Sequence, residues 1–491
     1  MAFLIGGANS AADTAFDVAN SCRFGTDTLL DKDNANSSPT HADKYTISFW
    51  CKKCNTSGGG SGAPAENGYT LFMSSGSGTA GDASDHYCQI YFKNEDDIRW
   101  QEYDDGTSGQ LETNQVFRDP AAWHHLVFRF DSTDGTADDR MRIYVNGAQV
   151  TSFQTRTNID QNTDSWVGYA SAAHVIGGTS ARFFDGYLAE FVLIDGQSLA
   201  PTSFGEYDSD SPNIWKPIDV SGLTFGTHGY YLDFEDSSAL GNDANGGTDF
   251  SVTNLAAYDQ CQDSPTNNWA VLNNLDHYYT ATSSTGATST EGATKFIIAS
   301  GNRGFARSTF GVTAGKWYWE CKLHAVSKGF LGICNNEILV DDSTPQVNAV
   351  YIYEATPDFR SGAQILTTGV ASISTNDIMN FALDMDNHAF YIGVNNTYMN
   401  SGDPESGSSR TGAISELFTT GRAIISDSGE MFANLLNTST TGGINTSMNF
   451  GCPAYANSSD AADANGYGAF EFAPPSGYLA LCTKNLGSDG G

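Results

Sequence analysis

The chain has 491 residues, 24 of them basic against 57 acidic, for a formal net charge of -33. A nucleic-acid binder needs a basic face to release phosphate counterions, so this balance argues against DNA or RNA as a partner. No run approaches the roughly 18 apolar residues of a membrane span, and the opening MAFLIGGANS lacks the basic region and apolar length of a secretion signal.

Hydrophobic residues make up 40% of the chain, enough for large cores, and 52 glycines against 13 prolines suit many tight turns between short strands. Helical periodicity is nearly absent. These features predict an all-β protein with less than about 10% helix, where an ordinary globular chain has roughly 30–35%. The nine cysteines are an odd number, which argues against a complete disulfide framework. Cys51 and Cys54 form one C-x-x-C with no second pair at zinc-ligand spacing. Reduced thiols and assembly in a cytosolic environment are the expectation.

In chain order, Phe3–Ile5 is a short apolar tip and residues 1–20 form an N-terminal segment. Tyr45–Trp50 alternates with a period of two, the mark of a half-buried strand. A Gly/Ser loop, Asn55–Gly62, leads to Tyr69–Met73, then come Cys88–Phe92, Ile98–Trp100, Trp123–Phe130 and Met141–Val145. Asn146-Gly147 is a hairpin turn signal. Phe183–Ile194 is a further apolar strand, and Tyr230–Phe234 another. Beyond a boundary placed near Asp263, Ala314–Cys334 puts Trp317, Trp319, Cys321 and Leu323 on one strand face. Tyr318, Glu320 and Lys322 fall on the other, and the Trp319 face is assigned to the interior.

Phe49-Trp50, Trp123–Asp131, Arg142–Gly147 and Asp185–Leu199 follow one another as in LamG or pentraxin-like sandwiches, which they resemble. GKWYWECKL with GFLGIC, Asp377–Asn396 and Asn449–Gly451 resemble the SPRY family, and Phe470–Leu486 is similar to the close of SPRY-like modules in bacteriophage structural proteins. The resemblance implies two concanavalin A-like jelly-roll sandwiches. A LamG-like one covers 21–200, a connector with some strand covers 201–262, and a SPRY-like one covers 263–491.

Such folds host both lectins and glycosidases, so chemistry must be read from residues. A retaining glycosidase needs two carboxyls about 5–5.5 Å apart. Asp233 and Glu235 share a strand face, but no third carboxylate follows at the spacing of the glucanase branch. His124 and His125 point to opposite faces and cannot share a metal. No catalytic set emerges from spacing. Rings that stack on sugars mark a glycan site; the candidates are Trp100, Tyr103, Tyr169 and Tyr398. Acidic turns suit Ca²⁺ as the one cofactor to consider, with Asp131, Asp134, Asp384 and Asp386 as candidate ligands. The resemblance implies a non-enzymatic virion protein assembled in a host cytoplasm, of the tail-fibre or adhesion kind. Its partners would be host-surface glycan or other virion proteins, and it would be homo-oligomeric, trimeric by resemblance. A glycan-cleaving depolymerase and a capsid decoration protein are the alternatives.

Overall fold

The structure is a computed structural model that describes residues 16–34, 38–54, 68–75, 86–104, 107–170, 172–179, 182–275, 287–336, 349–361, 364–368, 370–414, 429–437 and 441–489. The tip Phe3–Ile5 and the loop Asn55–Gly62 lie outside them. The chain divides into two compact units, one spanning Ala11–Asn267 and one built around Asn268–Gly491. Both are β-sandwiches. Helix accounts for 7% and strand for 46%, as the composition predicts. The 3₁₀ turns are short, and the one α-helix among the described residues is Thr483–Asp489.

In the first unit an eight-stranded sheet carries Lys44–Lys53 and Gly186–Asp195 at its centre, flanked by Trp123–Asp131 and Ser21–Phe24. A ten-stranded sheet runs through Thr107–Val116, Asp97–Asp104, His86–Phe92 and Tyr69–Ser75. Alternate residues of both sheets meet in one core that includes Ile47, Phe49, Cys88, Ile90, Trp100, Leu126, Phe128 and Leu188. Asn146 and Gly147 both take positive φ, 48° and 78°, closing the hairpin that the dipeptide signalled. Residues 201–262 are built into this unit. Tyr230–Leu232 pairs with Gly186–Asp195, and Gln260–Cys261 pairs with Ser21–Phe24. Two buried ion pairs hold the end of that stretch and the residue after it: Arg23 to Asp259 at 2.9 Å, and Lys52 to Asp263 at 2.7 Å.

In the second unit Lys316–Ala325 lies between Ile378–Asp384 and Ile444–Asn449 in an eight-stranded sheet, facing a six-stranded one. Trp317, Trp319, Cys321 and Leu323 all enter the core, as their alternation predicts. The other face differs from the half-exposed strand that the sequence suggests, because Tyr318 and Glu320 are fully buried as well. Distant chain covers them. Phe470 sits edge-on to Tyr318 at 5.0 Å. Glu320 accepts hydrogen bonds from the backbone N–H groups of Glu471 and Phe472, both at 2.9 Å, and from Tyr318 Oη and Asn449 Nδ2.

All nine cysteine side chains are buried as thiols. Titration of the denatured, unreduced protein with a thiol reagent should count close to nine. The native protein should react far more slowly, since burial pushes thiols such as Cys51 up and leaves little thiolate.

Candidate glycan-binding face and a buried carboxyl crevice

On the ten-stranded sheet the core-facing set is Cys88, Ile90, Phe92, Ile98, Trp100 and Leu111. Their neighbours therefore point outward, and the register lines them up in rows. Tyr87 lies opposite Tyr103, and Tyr103 opposite Ser108. Gln89, Gln101 and Gln110 form the next row, and Tyr91, Arg99 and Glu112 the third. The Tyr87 and Tyr103 rings stack at 5.5 Å with 22° between their planes. Neither hydroxyl has a hydrogen-bond partner among the described residues. Behind them the polar groups are chained. Gln101 Nε2 donates to Gln110 Oε1 at 2.9 Å, Tyr91 Oη donates to Gln101 Oε1 at 3.2 Å, and Arg99 donates to Tyr91 Oη at 3.0 Å. Burial pushes the Glu112 carboxyl up, but bonds from Lys93 and Arg99 outweigh it and hold it below the ordinary value.

The same end of these strands carries a second aromatic group. Tyr169, 44% exposed, stacks on Trp166 at 4.0 Å. Asp104 accepts from Trp166 Nε1 at 3.0 Å and bonds His86 Nδ1 at 2.8 Å. His86 and Asp104 are the strand neighbours of Tyr87 and Tyr103, so their side chains leave the opposite, core-side face of the sheet, and the Trp166–Tyr169 pair is separate from the outer Tyr87–Tyr103 pair. Tyr103 and Tyr169, both candidates from the sequence, therefore belong to two different aromatic pairs.

The other two candidates lie elsewhere. Trp100 is a correction: it lies on the inward face, fully buried between Tyr45 and Phe128, so its ring is closed to a sugar. Tyr398 belongs to the second unit, and its hydroxyl is buried without a partner among the described residues. The acidic turns spend their oxygens locally. Asp131 accepts from Thr133 Oγ1 at 2.6 Å, Asp134 from Thr136 N, Asp384 from Asn387, and Asp386 from Gly315 N. Among the described residues no three His, Cys, Asp or Glu side chains converge on a metal position.

A second site lies on the outer face of the eight-stranded sheet, where Ser48, Trp50, His125, Glu190 and Val192 line a crevice capped by Phe204, Pro217, Ile218 and Val220. Glu190 sits in a β-bulge, at the register shift between Ala189 and Val192, with φ 51°. A bulge re-aims a side chain, and left-handed backbone at a non-glycine residue costs about 1–3 kcal/mol. Burial pushes the Glu190 carboxyl up to about 8; the Tyr231 hydroxyl, donating at 2.6 Å, pulls the other way, and the nearby charges of Asp233, Glu235 and Asp219 push it further up. Asp233 and Glu235 do not share a strand face as the sequence suggests: the strand Tyr230–Leu232 ends before them, and Phe234 between them turns the backbone at φ 58°.

Ser48 Oγ and His125 Nε2 are 2.9 Å apart. Trp215 Nε1 donates to His125 Nδ1 at 2.9 Å. An indole N–H can only donate, so Nδ1 is the acceptor and the neutral ring carries its proton on Nε2. Nε2–H then donates to Ser48, and the ring cannot act as the base that would activate it. Burial pushes His125 down to about 3, which keeps that neutral form.

Residues 25–200 match the family model described as the concanavalin A-like lectin/glucanases superfamily, of the laminin G type. The first sandwich is a concanavalin A-like domain. Solved structures similar to the chain include the SPRY domain of human HERC1, 14% identical with a TM-score of 0.25, covering 33% of this chain and 91% of that one. A native heptameric SAP-like pentraxin from Limulus polyphemus is 16% identical, TM-score 0.27, covering 38% and 80%. Domain 4 of AbnA, a GH43 extracellular arabinanase from Geobacillus stearothermophilus in complex with arabinotriose, is 15% identical, TM-score 0.22, covering 35% and 66%. No curated protein matches the chain.

Proposed function

We propose that this chain is a non-enzymatic virion structural protein, a fibre or adhesion component that binds host-surface glycan through the first sandwich and needs no cofactor. One observation carries the binding part. The stacked, half-buried rings of Tyr87 and Tyr103 offer ring surface and two unspent hydroxyls on the outer face of the ten-stranded sheet. Ring faces pack on the apolar side of a pyranose, and phenol hydroxyls pair with its hydroxyls. The match to a lectin/glucanase superfamily is compatible with it. The virion setting rests on the pairing of LamG-like and SPRY-like modules and on the resemblance of the connector and of Phe470–Leu486 to phage proteins, and the trimer on the resemblance to phage fibres. Decoration of a capsid fits the same features.

On a glycan microarray the full chain should bind at least one saccharide class. Tyr87→Ala and Tyr103→Ala should each weaken that binding about tenfold, equivalent to roughly 1.4 kcal/mol. No binding to any class removes the reading.

The depolymerase alternative has one observation in its favour, that the charges of Asp233 and Glu235 reach the buried Glu190 carboxyl and push it up. Release of reducing ends from a bound polysaccharide, abolished by Glu190→Gln or Asp233→Asn, would establish it. We expect no release.

A further inference from the structure

We propose that Lys52 and Asp263 condense inside the folded first unit, forming an amide between Nζ and Cγ that ties the strand Lys44–Lys53 to the chain after Gln260–Cys261. The two groups meet across 211 positions of sequence, with Nζ 2.7 Å from Oδ2. Both side chains are closed to water, at 0% and 1% exposure. Rings wall the site: Nζ lies 5.5 Å from the centre of the Tyr187 ring, and Trp123 Nε1 donates to Asp263 Oδ1 at 2.9 Å. In bulk water an ammonium and a carboxylate persist as ions because water solvates both charges. In a dry site the two ions carry a desolvation cost that a neutral amide of the same groups does not. Fixed contact also gives the amine an effective concentration that free solutes never reach. The atoms balance without an oxidant or an activating group. The ammonium gives up one proton to become a nucleophile, the amine attacks Cγ and loses a second proton, and Oδ2 leaves with both as water. The indole N–H on Oδ1 steadies the negative charge that builds there as the amine adds. Asp119, half-buried and with its charge reaching Lys52, is the neighbouring carboxylate for the proton transfer. A second buried pair makes the contrast. Lys53 Nζ lies 2.6 Å from Asp96 Oδ1, but Arg118 Nε bonds Asp96 Oδ2 at 3.0 Å. That guanidinium holds the Asp96 carboxylate as an anion, so this pair stays ionic.

The test is intact mass spectrometry of the full chain, purified folded and then denatured and reduced, against the mass calculated from its sequence with or without Met1. We expect a deficit of one water, and a digest in which one branched peptide carries both Lys52 and Asp263. The double variant Lys52→Met with Asp263→Leu fills the site with apolar bulk and should show its full calculated mass. On a denaturing gel the parent should run ahead of that variant, since the link closes a loop that unfolding cannot open. Asp119→Asn should keep a larger uncondensed fraction than the parent. The full calculated mass in the parent overturns the proposal. A water deficit that maps to a single residue, as ring closure at an Asp-Gly step such as Asp195-Gly196 gives, overturns it too. So does a deficit that maps to Lys53 and Asp96. Complete condensation in Asp119→Asn overturns the proton route through Asp119.

Discussion

Trp319→Ala should unfold the second unit far below the melting point of the parent and leave the first unit standing. Trp319 is 1% exposed and stacks on Phe381 at 5.6 Å and on Phe390 at 6.2 Å, in the middle of a core that both sheets share. Its indole N–H has no partner among the described residues, so its contribution is packing alone. Truncating a buried tryptophan costs about 3–5 kcal/mol, a large share of the about 5–15 kcal/mol that holds a domain folded. For a unit of this size each kcal/mol moves the midpoint by about 2–4 °C. Calorimetry of the full chain should show one transition falling by about 10 °C and the other unmoved. A shift of a degree or two would mean that the ring is not a core anchor.

The first unit should lose stability as the pH rises from 5 to 9. Glu190 keeps its proton to about 8 in the fold and releases it near the ordinary 4.5 when unfolded. Between those values the folded state binds more protons than the unfolded one, so stability falls with rising pH. The contribution is fully present below about 4.5 and gone above about 8, and a shift of this size is worth on the order of 4 kcal/mol. Glu102 works in the same direction. Burial pushes it up to about 7 although Tyr45 and Ser165 donate to it. Glu190→Gln keeps the Tyr231 hydrogen bond and removes the titration. Its melting temperature should therefore fall by about 10 °C less than the parent's over that range, as read by thermal melts at each pH. Parallel curves for parent and variant would rule out the buried proton.

The sequence made the interior legible wherever a strand alternates. Trp319 and its three companions face inward because a period of two admits only two assignments, and the larger apolar set takes the core. The same rule places Trp100: two residues after Ile98 and in the middle of its strand, it faces inward with it. What alternation cannot show is the second neighbour. Tyr318 and Glu320 are buried by chain about 150 residues away, and no local pattern announces that. The row of Gln89, Gln101 and Gln110 exists only once three strands are in register. Glu190 is hidden for a further reason. Its strand carries an extra residue at the bulge, so counting by twos along Phe183–Ile194 puts the carboxyl on the wrong face.

The cover over Glu320 also governs time. Leu479–Ala480 pairs with Trp317–Tyr318, and Ala270 bonds Leu481, so the two ends of the second unit close on each other. During synthesis the hairpin from Ile378 to Val394 and its partner strand are made long before residues 470–482 leave the ribosome. Until then Tyr318 and an acid made for burial face water on an unfinished sheet. Contacts of such long range make folding slow, and half-made sheets of this kind are where chains cling to one another. Yield of the native unit should thus depend on the last strand arriving before a neighbour does.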